Sequence, residues 1–337
     1  TARKLKERAY ILKVKSLYDD EQSFERLKPK FSDLGYLPII AEENGQLIVA
    51  AVPKLRIEPK TRGPWINLIL LLATLGTTFV AGYLQSEAWI KFTKASTASL
   101  FENAILFALA IMTIIGVHEL GHTLMARKHG VKATLPFFVP APPVPFPVGT
   151  FGAVISMRSP IPSRKALFDI GAAGPVAGLL VTLPILIIGL KWSAIVSGPV
   201  EHGLPVPILM GLLVPFLVGP VDPSNQAIYL HPLGFAGWVG LIVLMFNLMP
   251  VGQLDGGHVS RAIFKPSTHK LISFIAIAVT IFIGWIVMAL LMFWLSFYEH
   301  PRPLNDVSKL DKGRNIFAVI LFLVLALSIN PPPTLSI

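Results

Sequence analysis

Long apolar stretches, separated by short polar segments, occupy the chain from about residue 64 onward. An α-helix needs about 20 mostly apolar residues to cross the hydrocarbon core of a bilayer. On this basis the pattern predicts six membrane-spanning helices. They fall within Pro64–Leu84, Phe101–Gly130, Ala166–Leu190, Gly234–Met249, His269–Phe297 and Asn315–Ile329.

The first 60 residues follow a different pattern. Apolar residues recur at helical spacing between Asp20 and Leu34, and runs typical of strands surround this helix. These runs are Arg3–Lys15, Tyr36–Ala41 and Gln46–Val52. The combination predicts a small α+β module over residues 1–62, followed by a membrane domain over residues 63–337. The module could be an interaction domain or a structural extension of the membrane part, and the sequence favours neither.

The loop between the second and third predicted spans, Thr134–Pro162, is rich in proline but too apolar for an ordinary solvent loop. Within it, Val148–Met157 has the pattern of a β-strand. Non-helical backbone is stable at membrane depth only where it is buried in protein or lines a wet cavity. We therefore expect a re-entrant β-strand loop. The predicted fold class is an all-α polytopic membrane protein with six transmembrane helices, this loop and a small N-terminal α+β cytoplasmic module.

Composition and charge agree with a membrane protein and predict its orientation. Hydrophobic residues make up 53% of the chain and charged residues only 14%, which is too apolar for a soluble enzyme. The net charge is +10, and surplus Lys and Arg in a membrane protein mark cytoplasmic loops more often than nucleic-acid binding. Basic residues precede the first span and follow the second. Six crossings then place both termini of an integral cell-membrane protein in the cytoplasm, and the segment Glu299–Lys312 outside.

The second predicted span ends in a metal-binding pattern, HELGH, at residues 118–122. Residues i and i+4 share one face of a helix, so His118 and His122 can both bind one ion. Glu119 lies beside them and can take a proton from water. The chain has no cysteine, so a metal site must use His and carboxylate ligands. Asp255 closely follows a span and is flanked by glycines, which makes it the candidate third ligand.

The candidate ligands must lie at the same face of the membrane, and this condition restricts the topology. The helix with the histidines runs inward, so the span that ends near Asn247 must also run inward. No room remains for an extra crossing, and the short apolar segment Pro205–Pro220 should be re-entrant or interfacial. A zinc site can offset the burial of its own acid, because an acid at the centre of a span costs about 2.5–3.5 kcal/mol whereas zinc binding to peptides releases about 10–16 kcal/mol.

The HELGH pattern and the segment Asn247–Gly257 together resemble the paired signatures of the site-2 protease family of intramembrane zinc metalloproteases. The segment His231–Trp238 resembles the branch of that family found in archaea and plastids. The resemblance covers about Phe101–Gly257, which is most of the membrane part. We see neither a PDZ nor a CBS-like region, which some relatives carry.

The resemblance implies a role for each matching residue. Zn²⁺ would be held by His118, His122 and Asp255. Glu119 would act as general base and acid. Asn247 would steady the substrate carbonyl or the developing oxyanion, which requires a fixed donor in a dry site.

The strand Phe151, Gly152 and Ala153 resembles the family's segment that holds the substrate backbone extended. A helix hides its peptide bonds and must unwind before water can attack them. The implied function is an intramembrane zinc metalloendopeptidase that cleaves within or next to transmembrane helices, as in regulated intramembrane proteolysis. Its partners would be a membrane-protein substrate and the lipid bilayer, with no nucleic acid.

Two alternatives remain open on the sequence alone. A membrane metal-ion transporter or metal sensor could use the same His and Asp cluster for transient binding. Such a protein needs acidic residues along a path to both sides, and we see none in the outer halves of the spans. An inactive scaffold is the third possibility, and it would contain no metal.

Other conspicuous residues are expected to have structural roles. The third span carries a face of small residues, which favours close helix packing. These include Gly171, Gly174 and Gly178. Four histidines have no partner at ligand spacing, and we expect them to face solvent or to cap helices. They are His129, His202, His258 and His300.

Overall fold

The computed structural model describes residues 10–14, 20–43, 45–54, 64–94, 97–198, 203–222, 225–298 and 300–330. The α-helices in these residues are α1 (Asp20–Asp33), α2 (Pro64–Thr93), α3 (Leu100–Lys128), α4 (Arg164–Lys191), α5 (Ile208–Leu217), α6 (Pro232–Leu248), α7 (Asp255–Ile263), α8 (Pro266–Phe282), α9 (Ile286–Ser296) and α10 (Lys312–Ser328). The strands are β1 (Tyr10–Val14), β2 (Tyr36–Glu43), β3 (Gln46–Pro53), β4 (Phe137–Pro140), β5 (Thr150–Val154), β6 (Ala194–Ser197) and β7 (Gln226–Tyr229). The predicted domain boundary at residue 62 and His202 lie outside the described residues.

The N-terminal strands and helix form a small unit, as the sequence pattern predicts. The strands make an antiparallel sheet in the order β1-β3-β2, and α1 packs its apolar face against it. Part of this unit's core comes from far along the chain, because Leu304 packs among Phe24, Ile40 and Val49. The backbone pairs there too: Ile40 N–H donates to Leu304 O at 2.7 Å, and Asp306 N–H donates to Ile40 O at 2.9 Å.

The contribution of Leu304 to this core can be measured. Leu304 is 6% exposed, so Leu304→Ala should lower the stability of the N-terminal unit by about 2–5 kcal/mol, through lost burial and the cavity left behind. We expect faster hydrogen exchange of the β2 and β3 amides. Leu34→Ala is the matched control, because Leu34 is 75% exposed. Unchanged exchange in the Leu304 variant would show that the unit is stable without this contact.

Three helices in the described residues are long and apolar enough to cross a membrane: Trp65–Thr93, Leu100–Lys128 and Arg164–Lys191. They correspond to the first three predicted spans. Four other apolar helices, α5, α6, α8 and α9, have only 10–17 residues. The apolar and mainly helical character of the predicted fold is therefore confirmed, whereas the count of six crossings is not.

The prediction of a single span over His269–Phe297 is wrong. The chain forms two helices, α8 and α9, separated at Ile283–Trp285. Gly284 has a φ of +91°, a left-handed conformation that a residue without Cβ adopts easily. The helices pack against each other as a hairpin, with the Thr280 hydroxyl donating to Met292 Sδ at 3.7 Å.

Because of this hairpin, the chain after α9 returns to the end of the molecule where α4 begins. The N–H groups of Leu304 and Asn305 donate to the carbonyls of Ile161 and Pro162, just before α4, both at 2.9 Å. The prediction that Glu299–Lys312 lies on the side opposite the metal pattern is therefore wrong for residues 300–312, while Glu299 lies outside the described residues. Its basic residues, Arg302, Lys309 and Lys312, lie at the same end as those that follow α3, as the positive-inside rule expects for one side of a membrane.

The direction of α10 is reversed relative to the prediction. It begins where Arg314 donates to Asp169 of α4, at 2.7 Å from Nε and 2.6 Å from Nη2. It ends beside α5, where Ile208 N–H donates to Ile329 O at 3.0 Å. The prediction of a cytoplasmic C-terminus required α10 to run in the opposite direction, so it loses its basis. Residues 331–337 lie outside the described residues. Asp169 also pairs with His129 Nε2 at 2.9 Å, so it joins α3, α4 and α10.

The proline-rich loop after α3 contains the predicted strand. β4 and β5 pair antiparallel, with Phe138 opposite Ala153 and a register shift at Val139/Pro140. The hairpin leans on α2: the Thr77 hydroxyl donates to Gly149 O at 2.7 Å. Gly149 has a φ of +76°, and a Cβ there would overlap the backbone of α2. A strand within residues 148–157 is confirmed, and its re-entrant position stays a prediction.

Candidate metal centre

Two imidazoles and one carboxylate meet where α3 and α7 approach each other. His118 Nε2 lies 3.1 Å from Asp255 Oδ2, and His122 Nε2 lies 3.2 Å from Asp255 Oδ1. The two Nε2 atoms are 3.1 Å apart. Both histidines are buried, and Asp255 is nearly so. The structure thus brings together three residues that are up to 137 positions apart in the chain.

Glycines on α4 make the space that these rings occupy. A Cβ at Gly174 would overlap the His122 ring, and a Cβ at Gly178 would lie 3.1 Å from His118 Nδ1. A Cβ at Gly171 would lie 2.7 Å from His258 Cβ, so this glycine lets α7 approach. The small-residue face was predicted to serve helix packing alone. It also forms the back wall of the cluster.

Asp255 is the first residue of α7, where the helix dipole favours a negative charge. Burial alone would raise the pKa of its carboxyl group. The neighbouring imidazoles of His122 and His118 outweigh burial and hold that pKa below its usual range. The side chain is therefore a carboxylate at neutral pH, which is the form that binds a metal ion.

The orientation of His122 is set by a second hydrogen bond. Its Nδ1–H donates to the carbonyl oxygen of Ile170 on α4 at 2.7 Å. This bond selects the tautomer in which the Nε2 lone pair points at the cluster. A partner of this kind normally stiffens a metal-binding imidazole and raises its basicity.

The donor set fits a zinc ion. Zn–N and Zn–O bonds of about 2.0–2.2 Å in a tetrahedron place ligand atoms about 3.3–3.6 Å apart. The spacings of 3.1–3.2 Å in the cluster are close to this range. Imidazole nitrogen and carboxylate oxygen are both common zinc ligands. Among the described residues, this is the one group of three or more His, Asp or Glu side chains that could hold an ion.

The predicted catalytic residues lie on the walls of two cavities at the cluster. Glu119 and Asn247 line a cavity of about 300 Å³, which also contains His118, His122 and Asp255. They also line a larger and mostly apolar cavity of about 440 Å³ between α3, α6 and α9. Asn247 Nδ2 lies 3.4 Å from His118 Nε2. A cavity of about 820 Å³ at the other end of the helices contains none of the predicted site residues.

The predicted substrate strand reaches the same place. Phe151, Gly152 and Ala153 of β5 line the 440 Å³ cavity together with His118 and Glu119. In the described residues β5 pairs with β4 alone. One edge of β5 is therefore not used by the chain's own sheet, at the cavity that holds the candidate catalytic groups.

Two histidines expected to face solvent or cap helices instead contact each other. His258 Nδ1 lies 2.7 Å from His300 Nε2, and both side chains are half-buried. Burial lowers the pKa of His258 to about 4 and that of His300 to about 2. Both rings are therefore neutral at pH 7, so one N–H can donate to the lone pair of the other ring.

The sequence interpretation missed the supporting residues of the cluster. Gly174 and Gly178 are four positions apart on α4, the same spacing as the two histidines they face. This equal spacing was the sequence signal that could have identified the two glycines as neighbours of the histidines. The Ile170 carbonyl carried no such signal, because a backbone acceptor is present at every residue.

Comparison with known proteins adds a family match. The family model described as peptidase family M50 matches residues 106–291. This range contains the histidine pair, Glu119, β5, Asn247 and Asp255. No solved structure matches the chain.

Several curated plant proteins are similar to the chain. The "probable zinc metalloprotease EGY1, chloroplastic" of Oryza sativa subsp. japonica is 31% identical over 246 residues, which cover 68% of this chain and 41% of that protein. The "probable zinc metalloprotease EGY2, chloroplastic" of Arabidopsis thaliana is 28% identical over 333 residues, which cover 92% and 58%. The chain thus spans about half the length of the curated relatives it matches.

Proposed function

Because the chain belongs to peptidase family M50, we propose that it is a zinc metalloendopeptidase acting within or next to the transmembrane helices of other membrane proteins. The observation that carries this proposal is the convergence of two imidazoles and a carboxylate beside Glu119, at an apolar cavity among long apolar helices. The plant relatives are named as probable zinc metalloproteases, which supports the same metal and reaction class.

His118, His122 and Asp255 are the residues that would hold the metal. A zinc ion bound there would supply Lewis acidity, which lowers the pKa of water to about 7 in zinc enzymes. The carboxylate would provide the negative charge, and the two imidazoles the ring-nitrogen lone pairs, that the ion needs.

Glu119 is the proposed proton carrier. Its carboxylate accepts a proton from the attacking water and then delivers it to the nitrogen of the leaving amine. A positioned general acid–base group contributes about 10²–10⁴-fold to a rate. Glu119 is 9% exposed and lines both cavities at the cluster, so it lies between the proposed metal site and the space for substrate.

Asn247 and β5 are proposed to hold the substrate. The Asn247 amide provides N–H donors next to His118, where charge on a carbonyl oxygen would develop. The edge of β5 at Phe151–Ala153 can pair with an extended segment, and main-chain pairing of this kind does not depend on sequence. A transmembrane helix would have to unwind locally to use that edge.

The surroundings favour a membrane-embedded substrate. The larger cavity is lined mostly by apolar residues of α3, α6 and α9, which suits the side chains of a partner helix. We further propose that the end with the metal cluster faces the cytoplasm, since basic residues gather at that end. Cleavage there would release the cytoplasmic part of a membrane protein, as in regulated intramembrane proteolysis.

The decisive experiment is cleavage of a model single-span helix by the purified protein, read by mass spectrometry. We expect a discrete pair of fragments, lost with 1,10-phenanthroline and restored by added zinc. The isomer 1,7-phenanthroline, which cannot chelate, is the matched control. Cleavage that survives chelation would refute a metal-dependent mechanism. Zinc flux into vesicles without proteolysis would instead indicate a transporter, and a purified protein without metal would indicate a scaffold.

A further inference from the structure

A further cavity lies beside the α8–α9 hairpin and has no part in the proposed proteolysis. Its volume is about 360 Å³, and it lies between the start of α8 and the chain that leaves α9. Three cationic side chains line it: Arg261, Lys270 and Arg302. None of the described residues that line it is acidic.

The charged side chains that line this cavity can only donate hydrogen bonds. The Arg and Lys side chains are donors alone, whereas the Ser273 hydroxyl already donates to Pro250 O, and His269 and His300 are hydrogen-bonded to Ser260 and His258. Arg261 is 2% exposed and donates from Nη2 to Asp306 Oδ2 at 2.6 Å, which holds its guanidinium in place. A cavity of this chemistry selects an anion with several acceptor oxygens.

The cavity lies at the end of the helix bundle where a candidate membrane span begins. Arg164, the first residue of that span, donates to Ala262 O and Ile263 O, both at 2.7 Å. α8 starts three residues after Ile263, so its first turn is close to the level at which α4 begins. This is the depth of lipid headgroups for a helix bundle embedded in a bilayer.

An apolar helix face continues from the cavity along α8. Leu271, Phe274 and Ile275 are exposed at helical spacing, and Phe282 is exposed farther along the same helix. Phe274 also lines the cavity, together with Phe297 of the turn after α9. The cationic cavity and this apolar face therefore form one surface, polar at the end of the bundle and apolar toward its middle.

We propose that this surface binds an anionic phospholipid, with its phosphate in the cationic cavity and its acyl chains along the exposed face of α8. Basic pockets between membrane helices are known to accept such headgroups, and each nearby Lys or Arg contributes about 1 kcal/mol to the attraction. The apolar face distinguishes a lipid from free phosphate, because a soluble ion would make no use of it. The cavity also touches Gly252, in the turn that precedes Asp255.

Lipid retention by the full chain in detergent tests the proposal, read by native mass spectrometry with phosphatidylglycerol and phosphatidylcholine as probes. We expect at least 10-fold tighter retention of phosphatidylglycerol, because the choline group offsets the phosphate charge. Lys270→Gln with Arg302→Gln should weaken phosphatidylglycerol binding about 25-fold, at about 1 kcal/mol per cation and 1.4 kcal/mol per factor of ten. Lys270→Gln alone should weaken it about 5-fold by the same conversion.

Lys309→Gln is the matched control, because Lys309 is an exposed cation at the same end of the bundle but does not line the cavity. Equal retention of the two lipids would overturn the proposal. So would an equal loss in the control variant, which would indicate diffuse surface attraction. Displacement of phosphatidylglycerol by millimolar inorganic phosphate would show an ion site and not a lipid site. Unchanged thermal unfolding and zinc content in the single variant would show that lost binding is not unfolding.

Discussion

Glu119→Gln should abolish cleavage of a model helix while zinc stays bound. The substitution keeps the size and polarity of the side chain but removes the group that accepts and returns a proton. Loss of a general acid–base group costs about 10²–10⁴ in rate, so we expect at least 10²-fold slower turnover. Since Glu119 is not among the three proposed ligands, metal content should remain near that of the parent protein.

The matched control for this variant is Glu102→Gln. Glu102 lies in the first turn of the same helix and is exposed, far from the histidine pair. It should retain full activity. Retained cleavage in Glu119→Gln would refute its assignment as proton carrier. A parallel loss of zinc would instead mean that Glu119 belongs to the metal ligands.

Gly174→Ala should remove zinc although glycine provides no ligand. A Cβ at this position would lie within 2.5 Å of the ring carbons of His122. Either α4 moves away from α3 or the His122 ring leaves the cluster, and both changes disrupt the donor set. Disturbing the supports of a metal ligand costs about 10–100-fold in affinity, and we expect at least that loss here.

Zinc content after purification and a zinc titration would measure the effect. Gly76→Ala on α2 is the matched control, because no atom lies within 4 Å of its added Cβ. Alanine favours a helix over glycine by about 1 kcal/mol, so helix propensity alone predicts a gain in stability for both Gly174→Ala and Gly76→Ala. Gly178→Ala should show an intermediate loss of zinc affinity, because its added Cβ would lie 3.1 Å from His118 Nδ1. Full zinc occupancy in Gly174→Ala would mean that the helices have more freedom than this packing indicates.

The local part of the candidate site was predictable because helix periodicity is local. His118 and His122 had to share a face once their segment was helical, and a strand after the prolines followed from the breakdown of helical pattern. Asp255 was found by its glycine-rich flanks and by the need for a third ligand. The roles of these three residues as ligands remain predictions, as do those of Glu119, Asn247 and β5.

The errors concern contacts between distant segments. The stretch His269–Phe297 is apolar throughout, and apolarity alone does not distinguish one tilted span from a hairpin. Gly284 was the local sign of the reversal, but one glycine is common within a membrane helix. What places the following segment is its backbone pairing with Ile40, Ile161 and Pro162, more than 100 residues earlier. The same holds for His258 and His300, which are 42 residues apart.

The N-terminal unit and the segment after α9 share one small core and one set of backbone hydrogen bonds, so removing either leaves the other incomplete. A shortened chain that lacked the first three strands would leave the backbone groups of Leu304 and Asp306 without their partners at Ile40. It would also expose the Leu304 and Val307 side chains to water. Asp306 pairs with Arg261 of α7, so the disturbance would reach the same helix that begins with the proposed metal ligand Asp255. The N-terminal unit is thus linked, through Leu304 and Asp306, to the helix that carries Asp255.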